Sequence, residues 1–179
     1  MLLDRLGGAT GAGGELSGSP YGDMLPALEV ISMTQMTGGC QCGRIRYVAE
    51  IDSDEAYLCH CRMCQRATGG VSIAFRSMKR ADVAWEREPD RYQSSPIAHR
   101  GFCSACGTPL TFEFLEGSDS MDLTVGSFDD PYHFKPTHHF SPETWHAEWL
   151  DTRHLPATRV ADNPSTVDRW MEKLGKLPD

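Results

Sequence analysis

The chain has 179 residues, with 17 Lys and Arg against 25 Asp and Glu, a net charge of −8 and 40% hydrophobic residues. At that size one domain with one packed core is expected, and the acidity speaks against a phosphate-backbone binder and so against a nucleic-acid partner. No apolar run approaches the roughly 18 residues of a membrane span, which excludes a transmembrane role.

The first residues, Met1-Leu2-Leu3-Asp4-Arg5, lack the basic start and apolar stretch of a secretory signal and the arginine bias of a transit peptide. A cytoplasmic protein is the expectation. Residues 1–36 hold 7 of the 17 glycines, and Gly-Gly, Ser-Gly-Ser-Pro and Tyr-Gly-Asp break every short apolar run. A segment that buries so little predicts a disordered tail, or a true start at Met33 or Met36.

From Gly38 onward short runs alternate between apolar and other residues. Ile45, Tyr47 and Ala49 form one, Val71, Ile73 and Phe75 the next, then Leu110, Phe112 and Phe114, then Met121, Leu123 and Val125. Period two reads as half-buried strands. Gly69-Gly70, Glu88-Pro89-Asp90, Glu116-Gly117-Ser118-Asp119 and Asp129-Asp130-Pro131 supply turns, so a mostly antiparallel β domain over 37–179 is predicted. Near the end Asn163 reads as a helix cap, Pro164 as the first helical residue and Gly175 as the stop. Val167, Trp170, Met171 and Leu174 make an apolar stripe between them. That stripe is expected to cover an open flank of the sheet, with a partner-docking face as the alternative. Trp145 and Trp149, four apart, read as core. His138 and His139, adjacent on a strand, point apart and share no metal.

Seven cysteines are the anomaly in this composition. An odd number without an export signal fits a disulfide framework poorly, whereas clustered thiols in a reducing compartment hold metal. They fall into three groups: Cys40 and Cys42; Cys59, Cys61 and Cys64; Cys103 and Cys106. Gly43 and Gly107 follow the outer pairs and allow the turns that such ligands need. Cys40, Cys42, Cys103 and Cys106 make one closed tetrahedral site of structural type, joining the two ends of the β domain. Cys59, Cys61 and Cys64, on one short loop, leave a position vacant, as catalytic zinc sites do. A fourth ligand from His60, His99, His138 or His139, or a trio that is redox-active without metal, stays open. Iron–sulfur ligation is the weaker competitor, since the loop spacing matches neither ferredoxin pattern.

No Asp or Glu occurs between Cys59 and Arg80, while Arg62, Arg66, Arg76, Lys79 and Arg80 do. Such a stretch draws a small anion, or is a solvated strand face that offsets the thiolates.

Three motifs carry a resemblance: Met-Thr-Gly-Gly-Cys-Gln-Cys-Gly-Arg-Ile-Arg-Tyr at 36–47, Cys-His-Cys-Arg-Met-Cys-Gln-Arg-Ala-Thr-Gly-Gly at 59–70 and Gly-Phe-Cys-Ser-Ala-Cys-Gly-Thr-Pro-Leu at 101–110. With the closing stretches 123–131 and 134–136, the chain from about Met36 to Trp149 resembles the glutathione-dependent formaldehyde-activating enzyme family, also called the CENP-V/GFA domain. The resemblance implies a mainly β, zinc-bound Mss4-like fold. It implies a structural zinc on Cys40, Cys42, Cys103 and Cys106, and a second zinc on the catalytic trio Cys59, Cys61 and Cys64. The implied activity is carbon–sulfur lyase chemistry that condenses glutathione with formaldehyde. Arg62 and Arg66 are expected to place a carboxylate of the anionic thiol. A non-catalytic zinc-stabilised binding module and a thiol redox protein like the methionine-sulfoxide reductases are the competing readings.

Overall fold

The computed structural model describes residues 33–177. Of the segment read as a tail, residues 1–32 lie outside the described residues, while Thr34–Met36 open the first strand and Met36 is buried in the core.

Two sheets form. The smaller holds β1 (Thr34–Gly39), β2 (Arg46–Ile51) and β5 (Val83–Trp85) in the order β1-β2-β5. The larger is built from β3 (Glu55–Cys59), β4 (Ile73–Lys79), β6 (Asp90–Ser95), β7 (Ala98–Phe102), β8 (Pro109–Phe114), β9 (Ser120–Thr124) and β10 (Lys135–Phe140). Its order is β10-β3-β4-β9-β8-β7-β6. Neighbours run antiparallel except β10, which lies parallel to β3. The mainly β, Mss4-like architecture with a C-terminal helix is therefore present.

Alternation divides the side chains of the larger sheet between two environments. Met78 of β4 and Met121 and Leu123 of β9 meet Tyr47, Ala49 and Ile51 of β2 in the main core between the sheets. Tyr47 packs edge-on to Trp85 and Phe128 at 5.0 and 5.5 Å, and its hydroxyl is satisfied by Ser127 Oγ at 2.8 Å. Phe75, odd where Met78 is even, belongs to a second cluster with Cys59 and Cys64, flanked by Tyr57, Ile73 and Phe112. One face of the sheet thus makes the core, and the other carries sulfur and aromatic rings.

Among the described residues two α-helices accompany the sheets, α1 (Arg62–Thr68) and α2 (Pro164–Leu174). The ends of α2 follow the sequence signals: Asn163 Oδ1 accepts from Thr166 N at 3.1 Å, and Gly175 stops the helix in the left-handed region. Its stripe behaves otherwise. Met171 and Leu174 are 49% and 60% exposed, and the helix buries no residue, so it does not cover the sheet's flank. Caps act within one turn of backbone, whereas burial requires a facing surface, and α2 meets chiefly the single turn Val160–Asp162. Trp145 and Trp149, expected in the core, close two short 3-10 turns after β10 and are 42% and 63% exposed. Among the described residues no helix is long and apolar enough to cross a membrane.

Candidate metal centres and the cavity between them

The first centre is assembled by two turns of the same design. After β1, Gly43 N donates to Cys40 O at 3.0 Å and Cys40 N to Ile45 O at 3.0 Å. After β7, Gly107 N donates to Cys103 O at 2.7 Å and Cys103 N to Thr108 O at 2.9 Å. Gly43 and Gly107 close these turns at φ of 76° and 80°, a conformation that costs any residue with a Cβ. Each turn aims two sulfurs inward. Gln41 N, donating to Thr108 Oγ1 at 3.1 Å, ties the turns together. Arg44 is paired with Asp90, whose Oδ2 also accepts from Ser104 N at 2.9 Å.

The four sulfurs of Cys40, Cys42, Cys103 and Cys106 all lie within 4.8 Å of one another, with Cys40–Cys42 at 3.5 Å and Cys42–Cys103 at 3.7 Å. A tetrahedral thiolate site with metal–sulfur bonds of about 2.3 Å needs sulfurs about 3.8 Å apart. The cluster fits. Local donors prepare the sulfurs for it: Ile45 N reaches Cys40 Sγ at 3.3 Å, and hydrogen bonds from Thr108 bring the Cys106 thiol down to about 6.

The second centre has a different origin. Cys59 ends β3, Cys61 caps α1, and Cys64 lies in its first turn, where its N–H donates to Cys61 Sγ at 3.4 Å. The trio therefore stands on a strand end and a helix start rather than on a loop alone. The helix went unread because its seven residues are too few for periodicity. These three sulfurs also lie within 4.8 Å of one another, and among the described residues no histidine or carboxylate joins them. His60, one of the considered fourth ligands, is buried and turns to His139 instead, Nε2 to Nδ1 at 2.9 Å, with Trp145 edge-on to both rings. Burial holds its pKa down. Its carbonyl is fastened by Gln65 Nε2 and Thr144 Oγ1, each at 2.8 Å. His138 stacks on Tyr57 and so points away from His139.

The charge around the trio differs from its sequence reading. Arg76 is buried and paired with Asp52 of the β2–β3 turn, and Arg80 engages Glu113 of β8 and the carbonyl of Phe114, so carboxylates distant in sequence absorb those charges. Arg62 and Arg66 remain exposed on α1, beside the trio. With Gln65, Gly69, Gly70, Val71 and His146 they line an open cleft of about 230 Å³.

Sequence reasoning passed over Arg100. Its Nη2 donates to Cys64 Sγ at 3.2 Å, and its guanidinium lies over the Phe112 ring, 5.1 Å from the centroid. Register brings it there: Arg100 faces Phe112, and Phe112 faces Asp122. No signal near Arg100 in the sequence announces this. The Cys64 thiol is brought down to about 6, first by the hydrogen bond from Cys59 and then by Arg100, while the same shared proton and burial push Cys59 up. Tyr57 donates to Asp122 Oδ2 at 2.9 Å, and burial pushes that carboxyl up.

A cavity of about 100 Å³ is lined by Ala67, Ile73, Arg100, Phe102, Gly107 and Pro109 among others, and by none of the seven cysteines.

A family model described as glutathione-dependent formaldehyde-activating enzyme matches residues 35–145. An uncharacterized lyase of Schizosaccharomyces pombe is 31% identical over 96 residues, which cover 54% of this chain and 70% of the yeast protein. A crystal structure of a Rhodobacter sphaeroides protein superposes with a TM-score of 0.48 at 21% identity, covering 59% of this chain and all of that one.

Proposed function

Because the chain belongs to the glutathione-dependent formaldehyde-activating enzyme family, we propose that it is a zinc-dependent carbon–sulfur lyase acting on a small thiol such as glutathione and an aldehyde such as formaldehyde. The carrying observation is the trio itself: Cys59, Cys61 and Cys64 converge with no fourth protein ligand among the described residues. Zinc bound there would favour the ionised form of a thiol at its vacant position.

The residues of the chain supply the rest. Cys61 and Cys64 are held by the first turn of α1, and Tyr57, Phe75 and Phe112 keep water from the inner side of the trio. Arg62 and Arg66, on the rim of the open cleft, bind the carboxylates of glutathione as charge-assisted partners. In the reaction the thiol S–H bond breaks, a bond forms from sulfur to the aldehyde carbon, and the proton ends on the former carbonyl oxygen. No oxidant or reductant takes part. Thiols add to formaldehyde unaided, so holding both reactants is a large share of the work.

The test is formaldehyde consumption in the presence of glutathione, compared with buffer. We expect a rate above buffer that Cys61→Ala abolishes and the surface change Lys79→Ala leaves intact. Wild-type rates equal to buffer would overturn the proposal.

A further inference from the structure

Arg100 is buried, with 6% of its surface exposed. The arginine ion pairs of the described residues belong to Arg44, Arg46, Arg76, Arg80, Arg91 and Arg153, so none of them includes Arg100. Asp122, on the same row of the sheet, feels the charge of Arg100 but makes no ion pair with it, and its Oδ2 is engaged by Tyr57. Of the five N–H donors of the guanidinium, one has a side-chain acceptor among the described residues, Cys64 Sγ, and the group forms part of the wall of the cavity.

An isolated buried guanidinium is costly and persists only beside compensating negative charge. The trio provides it: three thiolates around a divalent ion carry a net charge of about −1. Resting on the reading that the trio binds zinc, we propose that Arg100, whose Nη2 reaches Cys64 Sγ, is the counter-ion of this centre and the positioning residue for its fourth ligand, a compact anionic sulfur or oxygen group. The guanidinium sets the class: a charged donor fork held against one of the three sulfurs favours an anionic ligand over a neutral one.

The experiment loads the full chain with cobalt(II) in place of zinc and follows the visible bands while azide, an anion, or imidazole, a neutral ligand, is titrated. Wild type should take up two cobalt ions and respond to azide. Arg100→Met should weaken azide at least about tenfold, the scale of a lost charge-assisted hydrogen bond, with imidazole affinity kept; Arg100→Lys should restore most of the azide response. If Arg100→Met does not fold, Arg100→Gln is judged by the same azide-to-imidazole ratio. Unchanged azide affinity, or equal loss of azide and imidazole, overturns the role of Arg100 while leaving the metal reading intact. Wild type that takes up a single cobalt overturns the metal reading and this inference with it.

Discussion

The two cysteine centres use the same ligand atom and differ in how the backbone presents it. The four-cysteine centre draws two sulfurs from each of two turns, one after β1 and one after β7, so a bound ion would cross-link segments far apart in the chain. The three-cysteine centre draws all its sulfurs from a strand end and the helix that follows, and an ion there would tie together only what is already adjacent. Loop-closure entropy makes the first link valuable to the fold and the second nearly irrelevant to it. Surroundings differ in the same sense. Backbone amides, threonine and tightly turned glycines prepare the first, whereas the second faces a buried cation and aromatic rings. Geometry of this kind separates a centre whose ion would cross-link distant segments from one that no fourth protein ligand closes among the described residues.

That contrast is most severely tested by Cys103→Ala. A structural zinc site contributes on the order of 10 kcal/mol, against a total stability of about 5–15 kcal/mol. The variant should therefore lose soluble, folded protein, checked by yield and circular dichroism. Next comes Cys61→Ser, expected to halve the zinc content measured by elemental analysis while moving the melting temperature by less than about 4 °C, because only a partly buried surface ligand changes. A variant that unfolds as Cys103→Ala does would erase the distinction. Smaller still is Arg62→Ala with Arg66→Ala: KM for glutathione should rise about tenfold with kcat within about twofold, since the lost contacts serve binding rather than the reacting atoms. Steady-state kinetics decide it, and a fall in kcat alone would count against the cleft. The slightest effect belongs to Asn163→Ala, which costs α2 about 1 kcal/mol locally. Far-UV circular dichroism should register fraying while both zinc ions stay, because the helix buries none of its residues.

Much of this architecture was legible in the residues alone, because it follows from short-range rules. The division of seven sulfurs into four and three came from ligand counting, and the structure places both groups together. Asn163, Pro164 and Gly175 marked the ends of α2 through local backbone chemistry, and period two located four strands to within a few residues. The failures concern what each element faces. Nothing in Val167, Trp170, Met171 and Leu174 says whether a surface awaits them. Likewise nothing in the stretch holding Arg76 and Arg80, read as an anion site or a solvated face, says that Asp52 of the β2–β3 turn and Glu113 of β8 will pair with them.

Local chemistry thus determined which residues turn, which extend and which can ligate, since those properties depend on a few neighbouring bonds. Strand register, together with the docking of α1 on the sheet, decided that Arg100 should lie beside Cys64. Pairing across a sheet is set by the packing of both its faces at once, and no stretch of sequence contains that balance by itself.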